Sequence, residues 1–111
     1  MINVRQSIHY YQAEDRSVPF LEWLRGLRDL VGQSRVRSRL KNLEYGYFGD
    51  WKTIQGPLIE LRIHSGPGYR MYGARISLTA VVILWGGDKS TQSRDIRRAQ
   101  LYWIDYQRRS T

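Results

Sequence analysis

From Ala80 to Trp85 the chain is apolar at every position, and no polar residue interrupts the run to give it a solvent face. An apolar run of this length predicts a strand covered on both faces. It is far too short to cross a bilayer, so no membrane association is expected. Partner strands precede it. Leu58 to His64 alternates, with Ile59, Leu61 and Ile63 on one face and Glu60, Arg62 and His64 on the other. Ser65-Gly66-Pro67-Gly68 reads as a turn, because glycine tolerates positive φ and proline presets its own. Tyr69 to Arg75 then returns as the partner strand, with Arg70 and Tyr72 on one face. Gly86 and Gly87 are expected to end the apolar strand.

The rest of the chain supplies one more strand and three helices. Residues 2–11 alternate loosely through Ile2, Val4, Ile8 and Tyr10. Phe20, Leu24, Leu27 and Val31 mark an amphipathic helix, with Ser17 as its N-cap and Pro19 in its first turn. Gly32 is expected to separate it from a second, basic helix carrying Val36, Leu40 and Leu43. Gly46 and Gly49 then open a loop in which Tyr45, Tyr47, Phe48 and Trp51 form satellite core. The last helix begins near Ser90 and buries Ile96, Ala99, Trp103 and Tyr106. The order β-α-α-β-β-β-α predicts an α+β domain over residues 1–111, a mostly antiparallel twisted sheet with helices packed on one face.

Eighteen Lys and Arg against ten acids give a formal charge of +8. Such a surplus suits a polyanionic partner, nucleic acid or acidic protein. The absence of cysteine excludes disulfide and thiolate chemistry. The first residues lack the apolar run of a signal peptide, and a cytoplasmic protein is expected.

If one sheet face stays open, the hairpin presents Glu60, Arg62, His64, Arg70 and Tyr72 on it. Those side chains suit a phosphodiester. Arginines grip phosphate and stabilise its extra transition-state charge. A carboxylate, histidine or lysine can take the proton of a ribose 2′-OH. Glu60-x-Arg62 can equally be an ordinary ion pair, and His64 an ordinary exposed histidine. No His, Asp or Glu cluster has metal-ligand spacing, so neither a metal nor another cofactor is expected. Gly86-Gly87-Asp88-Lys89-Ser90 lacks Walker spacing. It reads as a strand–turn–helix connection that offers Lys89 and backbone donors to an anion.

Leu58-Ile59-Glu60-Leu61-Arg62-Ile63, Gly66-Pro67-Gly68-Tyr69-Arg70-Met71-Tyr72 and Gly86-Gly87-Asp88-Lys89-Ser90, in that order, resemble the addiction-module killer proteins. These form a HigB-like branch of the RelE/ParE toxin superfamily. Pro19-Phe20, Glu22-Trp23-Leu24 and Gly49-Asp50-Trp51-Lys52 fit the same pattern. The resemblance implies a RelE-like fold and a toxin of a type II toxin–antitoxin pair, neutralised by a cognate antitoxin; the basic helices predict that this partner carries an acidic or amphipathic segment. It implies metal-independent cleavage of mRNA on the ribosome. By position it gives Arg70 a phosphate-stabilising role and Lys89 and Arg62 cationic catalytic ones. Tyr72, Lys52 and Arg75 are expected to contact RNA. The base stays open between Glu60, His64 and Lys52, since Leu58 and Glu60 stand where RelE toxins tend to carry lysines. A ParE-like gyrase inhibitor without nuclease activity and a small basic nucleic-acid-binding module are the alternatives.

Overall fold

The computed structural model describes residues 3–110. Its elements are β1 (Ser7–Tyr10), α1 (Pro19–Arg25), α2 (Leu30–Glu44), β2 (Trp51–Gln55), β3 (Leu58–Ile63), β4 (Tyr69–Ser77), β5 (Ala80–Asp88), a short 3-10 turn (Lys89–Thr91) and α3 (Gln92–Arg109). The sheet runs β1-β5-β4-β3-β2. β1 lies parallel to β5 and the other pairs are antiparallel, so this is a mixed five-stranded α+β sheet.

The hairpin follows its sequence pattern. Glu60 stands opposite Tyr72 and Arg62 opposite Arg70, and Gly66 and Gly68 both take positive φ in the turn. Several boundaries differ from expectation. Ile2 lies outside the described residues, and the first strand begins at Ser7. Val18, not Ser17, precedes α1 as its N-cap; Ser17 instead donates to the Asp15 carboxylate. The helix break falls before Asp29, whose carboxylate accepts the Gly32 amide at 3.0 Å and so starts α2. Gly32 is therefore inside a helix, and Val31 is solvent-exposed. Trp51 to Gln55 forms an edge strand where a loop was expected. Tyr45, Tyr47 and Trp51 are exposed, and only Phe48 packs against the core.

The largest correction concerns the faces of the sheet. Ile59, Leu61, Met71, Val81 and Ile83 pack with Phe20, Leu24, Val36 and Leu43 of α1 and α2. Leu58, Tyr72, Ala74, Val82 and Leu84 pack on the opposite face against Ala99 and the apolar stripe of α3. Helices thus cover both faces. A register shift near Tyr72 makes Leu84 and Trp85 both face α3, as a bulge does by inserting one extra residue.

Beyond the bulge, Gly86 faces α1 and Gly87 faces α3. A Cβ on Gly86 would lie 2.3 Å from the Trp23 ring, and one on Gly87 would lie 1.9 Å from Asp95 Oδ2. The two glycines therefore continue β5 instead of ending it. They let both helical layers approach one strand end. Gly87→Ala is expected to cost at least about 1–3 kcal/mol, the usual penalty of overpacking. Denaturant unfolding reads it directly. An unchanged midpoint would mean that α3 retreats freely.

Buried phenols tie the layers together. Tyr11 donates to Asp105 at 2.6 Å and Tyr69 donates to Asp29 at 2.9 Å. Burial first, then the hydrogen-bonded carboxylate, pushes each phenol up to about 12. Burial and the nearby Glu60 and Asp95 charges raise Tyr72 as well. Phenols with raised pKa stabilise the fold below the ordinary value of 10.0 and lose that contribution as pH climbs to about 12. Absorbance titration should show these three of the eight tyrosines ionising last, with stability falling across that window. Simultaneous ionisation of all eight in a folded chain would contradict the burial argument.

Candidate nucleic-acid interface

A carboxylate inside the sheet organises the site. Glu60 is only 1% exposed. Its Oε1 accepts from Arg62 Nε at 2.9 Å, and its Oε2 accepts from Gln92 Nε2 at 2.8 Å. Arg70 Nε lies 3.6 Å from Oε2, an ion pair too long for a hydrogen bond. One carboxylate thus holds two arginines that the hairpin register sets face to face. The Glu60 hydrogen bond and charge raise the Arg62 pKa further, so that guanidinium stays charged.

Glu60 faces each arginine at its Nε. Arg70 Nη1 donates to the Gly68 carbonyl at 3.0 Å. Its Nε is buried without a hydrogen-bond partner, as is the Tyr72 hydroxyl. Tyr72 is fully buried beneath α3, so it offers no ring for a base to stack on. Burial also removes Glu60 from the pool of bases, since both of its oxygens are engaged and neither reaches solvent.

A groove of about 420 Å³ opens above this pair. Arg62, His64, Gly66, Gly68, Arg70 and Lys89 line it. The structure therefore joins Lys89, which the sequence reading had placed apart, to Arg62, His64 and Arg70 of the hairpin. Lys89 is exposed at the start of the 3-10 turn. The expected backbone anion site there is not free. Asp88 Oδ1 accepts the Ser90 amide at 2.8 Å and the Ser90 hydroxyl at 2.5 Å. What Lys89 adds to the groove is its side chain.

His64 stands on the rim with its side chain 77% exposed, and its Nε2 lies 2.6 Å from Asp50 Oδ2. The His64 hydrogen bond, ahead of the nearby positive charges, holds the Asp50 carboxyl below its ordinary range. Nδ1 is the ring nitrogen left to face a hydroxyl. Two candidates lie elsewhere. Lys52 pairs with Glu60 in register on exposed β2, outside the groove lining. Arg75 stacks over Phe48 at 4.5 Å and borders a separate pocket with Trp51 and Leu78.

Three residues support the site from behind. Arg39 belongs to the basic helix α2. Its guanidinium donates to the carbonyls of Phe48, Asp50 and Arg62, at 2.7, 2.7 and 2.5 Å for the shortest contacts, and fixes the Arg62 backbone. Gln92 locks Glu60 from α3. Asp95 is 2% exposed and accepts from Trp85 Nε1 at 2.9 Å and from the Thr91 hydroxyl. Among the described residues, no group of three or more His, Asp or Glu side chains is placed to hold a metal ion. No helix among them is long and apolar enough to cross a membrane.

No protein-family model matches the chain. It is 41% identical over 85 residues, 77% of this chain and 86% of the relative, to an uncharacterized protein of Haemophilus influenzae. The chain belongs to the family of that protein. A match of 85 residues within 111 begins no later than residue 27 and ends no earlier than residue 85. The segment shared within this family therefore contains the hairpin with Glu60, Arg62, His64 and Arg70, wherever the match starts.

Proposed function

We propose that this chain is the toxin of a type II toxin–antitoxin pair, a cytoplasmic endoribonuclease of the RelE/ParE superfamily that cuts mRNA on the ribosome without a metal. The observation that carries the reading is the convergence of Arg62, Arg70, Lys89 and His64 on one groove over a buried Glu60. Two arginines facing each other suit the non-bridging oxygens of a phosphodiester, and their charge answers the extra charge of a phosphorane. His64, oriented by Asp50, takes the 2′-OH proton through Nδ1. Lys89 stabilises the departing oxygen from the opposite wall. The fold is read as RelE-like with one additional edge strand, β2. The cognate antitoxin carries an acidic or amphipathic segment that covers this cationic surface.

Mapping RNA 5′ ends after brief induction, beside a gyrase supercoiling assay, tests the reading. New ends within translated mRNA, lost in Lys89→Ala and insensitive to EDTA on free RNA, are expected. Intact mRNA together with blocked supercoiling would replace it with gyrase inhibition. Cleavage that EDTA removes and manganese restores would overturn the metal-free chemistry.

A further inference from the structure

The groove above Glu60 does not stand alone. A second depression of about 360 Å³ adjoins it through Arg62, Ile63 and His64 and runs along α2 to Arg35. A third, of about 350 Å³, adjoins it through Lys89 and continues past Arg94 and Arg97 on α3. Each is of the size that holds a nucleotide-sized ligand, since such sites start near 300 Å³. Arg35, Lys89, Arg94 and Arg97 have no ion pair or hydrogen-bond partner among the described residues, so their heads are available to a ligand. Asp50 is the one acid on these walls, and His64 already engages it. No Phe, Tyr or Trp side chain lines any of the three depressions, and the imidazole there, His64, is tied to Asp50.

We infer that the three depressions form one continuous track, from Arg35 through Arg62, Arg70 and Lys89 to Arg94 and Arg97, that holds single-stranded RNA by its phosphates and reads no sequence. The inference rests on the proposed cleavage reading for the choice of RNA over other polyanions. Cations spaced along a groove follow a flexible backbone, and without stacking platforms the bases contribute little. Sequence indifference is the specific consequence. Arg39 also borders the track, yet its donors are spent on backbone carbonyls, so six cations remain to meet phosphates.

The test is an anisotropy titration of the whole chain with a 2′-O-methyl RNA of mixed sequence, whose blocked 2′-oxygen forbids cleavage. Six contacts at about −0.7 each in the salt exponent predict a roughly 300-fold loss of affinity between about 50 and 200 mM salt. The combined Arg35→Gln, Arg94→Gln and Arg97→Gln variant, changed only at exposed positions, should lose only about 20-fold over the same range. Scrambling the RNA should change neither figure. Steep, sequence-indifferent binding by a chain that cleaves nothing would still support the track while removing the cleavage reading. An unchanged salt response in the triple variant would overturn the track. So would an affinity that changes strongly when the RNA is scrambled, which would mean that the groove reads bases.

Discussion

Arg70→Ala is expected to lower RNA cleavage by ~10²–10³ and to abolish growth arrest, the usual cost of removing one preorganised transition-state donor. The side chain is 11% exposed, its Nη1 braces the turn at Gly68, and its charge faces Glu60 across 3.6 Å. Removing it takes away phosphate charge and leaves Glu60 still held by Arg62 and Gln92. The fold should therefore survive. Circular dichroism and thermal unfolding establish that point, and cleavage on programmed ribosomes reads the rate. A folded variant that cleaves at wild-type speed would move the reaction away from this groove.

Glu60→Ala should do something different: unfold the site before it affects any chemical step. Deleting the buried carboxylate leaves Arg70 with no counter-charge and Gln92 without its acceptor. Breaking a buried pair in this way costs about 3–5 kcal/mol. For a chain of this size that lowers the midpoint of thermal unfolding by roughly 12–20 °C. Glu60→Gln keeps the shape and one acceptor oxygen, so it should recover part of the loss. If Glu60→Ala melts like the wild type but loses cleavage with a changed pH profile, Glu60 is a proton acceptor after all and the positioning role fails.

The contrast between these two residues marks where the sequence was legible. The β3–β4 hairpin, its turn and its register could be read because alternation and glycine placement are local signals. So could α3, whose stripe of Ile96, Ala99, Trp103 and Tyr106 repeats at helical spacing. Glu60 was misread because it alternates with Ile59 and Leu61 like any solvent-facing residue. What buries it is Arg70 and Gln92, ten and thirty-two positions away, and periodicity is blind to such partners. β2 escaped notice because an edge strand exposed along most of its length needs no apolar pattern; pairing with β3 holds it. The covering of both faces was legible, but in another place. The uninterrupted apolar run of β5 already required it, and a sheet with one open face contradicted that requirement. The convergence of Lys89 with the two arginines depended on how β5 and β4 pair, which no local feature records.

The shared carboxylate beneath Arg62 and Arg70 has a thermodynamic consequence. A free arginine carries roughly 2 kcal/mol of rotamer entropy, which a flexible phosphate-binding surface must surrender when its ligand arrives. Here much of that loss has already occurred during folding, because Glu60 holds both side chains and the Gly68 carbonyl holds Arg70 as well. A phosphate entering the groove meets two ordered cations and does not have to organise them.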